Sequence, residues 1–247
     1  MRTVVLIPAR YASSRYPGKP LVSLLGKPMI LWVAELSAEA VGASNVYVAT
    51  EDERIAEVVK SAGYQAVMTS SNALTGTDRL AEAAEQIPAD IYVNVQGDEP
   101  LACPRDILRA IEEKKATPDM IINGFCWLSV DEDPHSVNIP KVITNEKNEL
   151  VYMSRSALPG FKDEKYAPRT HKKQVCIYAF TKKELLDFKG FGRKSELEQC
   201  EDIEILRFLE LGKKVRMYET KPGSLAVDVP EDVAKAEAAL KRQMGVN

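Results

Sequence analysis

Short unbroken apolar runs alternate with helical patterns along the first half of the chain. Val4-Val5-Leu6-Ile7, ended by Pro8, lacks polar alternation, as expected of a strand buried on both faces. Pro28 opens a helix with Met29, Val33, Leu36 and Ala40 on one side, proline being suited to the first helical turn. Residues 45–49 read as the next strand, and 52–61 as a helix stopped by Gly63. A short strand at 66–68, a helix at 77–86, a strand at 91–95 and a helix from Pro104 through Ile111 continue the series. Such alternation with short connections implies right-handed βαβ units on a parallel sheet. Ligands on such sheets sit outside the carboxyl ends of the strands, which singles out the loops starting at Pro8, Thr50, Thr69 and Gln96.

Beyond residue 118 the pattern changes. Residues 120–127, 139–144, 150–153 and 174–180 read as strands with no long helix between them, which predicts an antiparallel extension before the α/β pattern resumes at Lys182. Residues 159–173, rich in Gly, Pro and charge, read as a loop, and 231–243 as a last helix. The expectation is an α/β fold in one domain, 1–247, with a mostly parallel sheet flanked by helices and a smaller antiparallel extension within about residues 120–180.

Composition narrows the function classes. Of 247 residues, 45% are hydrophobic and 28% charged, enough to build a core and too apolar for wholesale disorder. With 33 basic against 36 acidic residues the net charge is -3, so a duplex-binding role is disfavoured. No apolar run approaches the roughly 20 residues that span a bilayer, and the N-terminal MRTVVLIPARY reads as a strand rather than a signal peptide. Cys103, Cys126, Cys176 and Cys200 form no CxxC pair, and His135 and His171 are the only histidines. This excludes a zinc ribbon and a disulfide framework, and points to a reducing, cytoplasmic setting.

Five constellations carry candidate chemistry. The loop from Pro8 to Pro20 sets Arg10, Arg15 and Lys19 among small residues including Ser13, a composition that suits a polyphosphate as well as it suits a solvated basic loop. It is neither a Walker A loop nor a GxGxxG turn. Gln96-Gly97-Asp98-Glu99-Pro100 ends a strand with two carboxylates, which suits Mg²⁺ or an ordinary turn. Asp228, with Glu231 three residues on, reads first as a helix cap. Thr75-Gly76-Thr77-Asp78-Arg79 is a helix start from which Arg79 could reach a ligand. Glu201, Asp202, Glu204 and Arg207 read as surface electrostatics on one helix. Cys126 and Cys176 read as core residues, and His171 as a loop residue. No Ser-His-Asp pattern is present, and a cationic loop with two separate carboxylates at strand ends favours metal-assisted phosphoryl or nucleotidyl chemistry.

Taken together, IPARYASSRYPGKPL, ATEDERI, GTDRL, VNVQGDEPL, YMSRSALP, IYAF and VDVPEDV resemble the 3-deoxy-manno-octulosonate (Kdo) cytidylyltransferases, in register over nearly the whole chain. The resemblance implies a nucleotidyltransferase (Rossmann-like) domain that binds CTP and Mg²⁺, activates a 2-keto sugar acid, releases pyrophosphate and dimerises through its antiparallel extension. It implies that Arg10 and Lys19 hold the triphosphate, with Ser13 and Arg15 nearby, and that Arg79 and Gln96 lie near nucleotide and sugar. Asp98 and Asp228 become the Mg²⁺ ligands, against the cap reading of Asp228. Gln174, Tyr178 and Glu204 fall at sugar-side positions.

The departures lie on that side too. Family members carry a histidine where this chain has Gln174, a glycine at Cys176 and a glutamine at Ile205. Such changes alter hydrogen-bond donors, so the acceptor stays open: Kdo, or an amino-Kdo, another ulosonic acid, or a small carboxylate or phosphonate. A nucleotide-binding regulator without turnover is the alternative from another class, against which the intact Arg10, Lys19, Asp98 and Asp228 set argues.

Overall fold

The structure is a computed structural model that describes residues 1–13, 16–223 and 225–245. Its elements in chain order are β1 (Thr3–Ala9), β2 (Ser23–Leu24), β3 (Lys27–Pro28), α1 (Met29–Val41), β4 (Val46–Thr50), α2 (Glu53–Ser61), β5 (Gln65–Met68), α3 (Gly76–Gln86), β6 (Ile91–Val95) and α4 (Pro104–Ala116). Then follow β7 (Ile121–Trp127), β8 (Lys141–Thr144), β9 (Leu150–Ser154), β10 (Lys172–Phe180), α5 (Lys182–Gly190), α6 (Glu196–Glu201), α7 (Ile205–Glu210), β11 (Val215–Glu219) and α8 (Asp232–Met244).

The apolar runs are continuous because the main sheet is covered on both faces. Along β1, Val4 and Leu6 enter one core and Val5, Ile7 and Ala9 the other. The first core is closed by α3, α5 and α7 through residues such as Leu80, Phe188 and Phe208; the second by α1, α2 and α4 through Val33, Ile55 and Ile107. Pro8 lies inside β1 rather than ending it. Its partner is Ala49 of β4, while pairing with β6 stops at Leu6, so its missing N–H interrupts no bond on that side.

The strand order is β11-β7-β10-β6-β1-β4-β5, with β8 and β9 attached to the side. β5, β4, β1 and β6 are parallel; β10 runs antiparallel to both neighbours, β6 and β7; and β11 pairs parallel with β7. Two of the strands expected in the extension, β7 and β10, are therefore members of the main sheet. What leaves the sheet is the β8–β9 hairpin and its loops, joined through the pairing of Lys172 and Lys173 with β8. A smaller cluster of Leu24, Met29, Leu101, Val227, Ala236 and Leu240 docks α8 beside the carboxyl end of β6.

Candidate active site

The segments that follow β1, β5 and β6 open into one cleft of about 270 Å³. Its lining includes Arg10, Ser13, Lys19, Arg79, Gln96, Asp98, Glu204 and Asp228, so eight of the residues singled out in the sequence meet there. Arg15 lies outside the described residues.

The cationic loop is folded by its own backbone. The Tyr11 N–H donates to Glu51 Oε1 at 2.9 Å, and the Tyr11 carbonyl accepts from the Gly18 N–H at 2.9 Å. Gly18 is left-handed (φ 71), and a Cβ there would lie 3.2 Å from the Tyr11 ring, so glycine suits both the turn and the contact. The turn delivers Lys19, whose Nζ lies 2.6 Å from Asp98 Oδ2 and 3.3 Å from Asp228 Oδ1.

Asp98 arrives on the turn after β6. Gly97 within that turn is forced: a Cβ would sit 2.8 Å from the Pro8 carbonyl oxygen, where backbone cannot yield. Asp228 arrives because the Val227 N–H donates to the Asp98 carbonyl at 2.9 Å and the Val227 side chain is fully buried. The cap reading of Asp228 does not hold: the residue before α8 is Glu231, no side chain caps the helix, and Asp232 Oδ2 accepts from the N–H groups of Asp228 and Val229 in the approach to it. The Asp228 carboxylate faces Lys19. Glu99, buried beside Asp98, is not in the lining. Among the described residues no group of three or more His, Cys, Asp or Glu could hold a metal unaided. Two converging carboxylates still offer the hard oxygen donors that suit Mg²⁺, which takes few protein ligands and completes its shell with water and phosphate.

Arg79 is 5% exposed; its Nη1 lies 3.0 Å from Glu51 Oε2 and also donates to Thr69 Oγ1. Burial holds its pKa below the usual arginine value, opposed by the charge of Glu51. Glu51, next to the Asp52 cap of α2, ties the Tyr11 loop to α3, a role that its local sequence does not signal. Glu204 accepts from the N–H groups of Gly76 and Thr77 at 3.0 and 2.8 Å and from the Thr77 hydroxyl. The carboxylate thus satisfies open donors at the start of α3. Burial pushes its pKa up, with those hydrogen bonds pulling the other way.

Arg207 departs from its surface reading. It is fully buried, with Nε and Nη2 on Glu198 at 2.6 and 2.7 Å and Nη1 on Asp78 at 2.9 Å. Glu201 likewise bonds to Ser154 and the Arg155 N–H rather than facing solvent.

Gln174 and Tyr178 are not among the lining residues. The register of β10 against β7 shifts between Val175 and Tyr178, and across this bulge Gln174 Nε2 donates to Tyr178 Oη at 3.0 Å and to Asn123 Oδ1 at 3.2 Å. The Asn123 amide donates to the carbonyls of Val175 and Ile177 within the bulge. Ile205, 1% exposed, belongs to the core around Phe208. Cys126 is buried, its thiol pushed up to about 11 by desolvation, and is an inert core residue. His171 is a loop residue, its Nδ1 2.7 Å from the Leu158 carbonyl.

Residues 4–215 match the family described as cytidylyltransferase. The chain is 42% identical to the 3-deoxy-manno-octulosonate cytidylyltransferase of Trichlorobacter lovleyi over 98% of this chain and 100% of that one. It is 35% identical to the enzyme of that name from Escherichia coli, over 100% and 99%. A solved CMP:2-keto-3-deoxy-manno-octonic acid synthetase complexed with CTP superposes with a TM-score of 0.91 at 35% identity, covering 98% of this chain and 100% of that one. The inositol-1-phosphate CTP transferase of T. maritima, at 16% identity and a TM-score of 0.70, shares the fold. The cleft at the strand ends and these full-length likenesses lead to one conclusion: the chain belongs to the 3-deoxy-manno-octulosonate cytidylyltransferases, nucleotidyltransferase enzymes with a mostly parallel α/β sheet.

Proposed function

We propose that the chain transfers CMP from CTP to the anomeric hydroxyl of 3-deoxy-manno-octulosonate, releasing pyrophosphate and supplying an activated sugar acid for surface lipopolysaccharide. The observation that carries the site assignment is the convergence of Asp98 and Asp228 on Lys19, from 79 and 209 residues away in sequence. In this reading Asp98 and Asp228 hold Mg²⁺. The ion, when bound, supplies Lewis-acid stabilisation of charge on the α-phosphate and the leaving pyrophosphate, and acidifies the attacking hydroxyl.

The protein groups do the rest. Lys19 exchanges its carboxylates for phosphate oxygens, and with Arg10 it stabilises charge that grows as the bond to pyrophosphate breaks, without moving a proton. Ser13 lies on the same loop as a phosphate contact. Gln96 orients the acceptor near the α-phosphate, and Arg79, anchored by Glu51, borders the nucleotide. Glu204 braces the start of α3, and its remaining acceptor capacity faces the sugar hydroxyls. Gln174 and Tyr178 act from behind that wall by fixing the β10 bulge.

Among the described residues no helix is long and apolar enough to cross a membrane. A cytoplasmic location suits the use of CTP and the free cysteines. The partner is a second copy of the chain, docking on the exposed apolar residues of the extension: Val130, Val137, Val151, Phe161 and Tyr166.

Pyrophosphate release with CTP and Mg²⁺ tests the reading, comparing Kdo with sialic, amino-ulosonic and phosphonate acceptors. Release with Kdo exceeding that with every other acceptor is expected. Release confined to another acceptor would keep cytidylyl transfer and overturn Kdo, and silence with all of them would favour the regulator.

A further inference from the structure

One wall of the cleft is built by residues 194–204, which contribute Lys194, Asp202 and Glu204 to the lining. Lys194 stands in the connection between α5 and α6, and its Nζ lies 2.9 Å from Asp202 Oδ1. Both side chains are at the rim, 34% and 75% exposed. An exposed pair of this kind contributes little to stability, so the ammonium can trade one carboxylate for another at small cost. The backbone around it is fixed. Ser195 is buried with its N–H on Glu198 Oε2, and the carbonyls of Glu201 and Asp202 accept from the Arg155 guanidinium. A long, flexible cationic side chain therefore stands on a rigid base at the mouth of the cleft.

Of the other described cations of the lining, Lys19 and Arg79 are engaged with carboxylates of their own. Lys19 sits between Asp98 and Asp228, Arg79 is buried against Glu51, and Arg10 follows β1 on the loop that delivers Lys19. On the 194–204 wall the other ionisable lining groups are the carboxylates of Asp202 and Glu204, which by themselves would repel an anionic acceptor. We infer that Lys194 is an acceptor-specificity residue: its ammonium leaves Asp202 for the carboxylate of the incoming sugar acid, while the triphosphate is held at the Lys19 end. The inference rests on the cytidylyl transfer to a sugar acid proposed above.

The test measures pyrophosphate release by the full chain with CTP and Mg²⁺, using Kdo and its neutral carboxamide as acceptors. K194M keeps the aliphatic stem and removes the charge. It is expected to raise the KM for the acid by about tenfold or more, the usual scale for losing a charged hydrogen bond, and to leave kcat and the KM for CTP within about twofold. The kcat/KM for the carboxamide should be unchanged, and K194R should recover most of the loss for the acid. A KM for the acid equal to that of the wild type overturns the inference alone, as does an equal loss with acid and carboxamide, which would make Lys194 a prop for the wall. Wild-type silence with the acid overturns the acceptor reading, and this inference with it.

Discussion

At 2.6 Å from Asp98 and 3.3 Å from Asp228, the Lys19 ammonium marks the point on which two carboxylates are aimed. Asp98→Asn should lower kcat by about 100-fold or more, because an amide is a poor Mg²⁺ ligand and the transition-state charge loses its counterion. The thermal midpoint should stay close to that of the wild type, since Asp98 is partly exposed; near-normal pyrophosphate release would remove the metal role. Glu204 makes a prediction in pH. Its pKa in the fold is raised by burial, so between the ordinary glutamate value, about 4.3, and the raised one the folded chain holds a proton that the unfolded chain has released. Its contribution to stability is therefore flat below that range and declines as pH climbs through it. Urea unfolding of wild type and Glu204→Gln across this range should show the difference moving toward the glutamine as pH rises. Lys19 and Asp98 were legible in the sequence because each closes a compact motif beside a strand. Asp228 was not, from local signals alone: its neighbours spell a helix cap, and only the tertiary bond from Val227 to Asp98 turns it toward the cleft.

Between elements, the buried Asp78–Arg207–Glu198 group links α3, α6 and α7, with Arg207 also stacked over Phe188 of α5 at 3.7 Å. It sits next to functional positions in sequence, since Asp78 precedes Arg79 and Arg207 follows Glu204 by one helical turn. Arg207→Met should destabilise the fold by about 3–5 kcal/mol in urea unfolding, because two buried carboxylates are left without their cation. A loss under about 1 kcal/mol would mean that the carboxylates neutralise without penalty. A Glu–Arg pair three residues apart on a helix reads as surface because sequence spacing says nothing of what packs from other helices. The strand β6 was legible to the residue, as an apolar run with sharp ends. The last turns of α4 were not: beyond Ile111 the apolar pattern stops, and the helix is held instead by buried Lys114, whose ammonium bonds Glu184 and the carbonyls of Pro118 and Met120. Nor was the β10 bulge, which depends on the Asn123 side chain reaching across from β7.

For the whole molecule, Val130, Val137, Val151, Phe161 and Tyr166 expose apolar surface in the excursion between β7 and β10, and association is the property to measure. Val151→Asp, at a site 56% exposed on β9, should leave the monomer fold intact and shift sedimentation toward monomer, while an unchanged profile would move the contact off this face. The sequence announced the parallel half of the sheet because its strands are short apolar runs that alternate with helical patterns. It did not announce that β10 would return between β6 and β7, since pairing across a long excursion leaves no periodic trace. That return has a consequence for the nascent chain. The parallel half, β5-β4-β1-β6, is complete once residue 95 has been made, but the far edge of β6 stays bare until β10 emerges from the ribosome. Because β6 is buried along its whole length, this interval exposes an apolar strand edge of the kind that recruits other chains. Growth conditions that slow translation between β6 and β10 should therefore lower soluble yield, whereas a pause after β10 should be harmless.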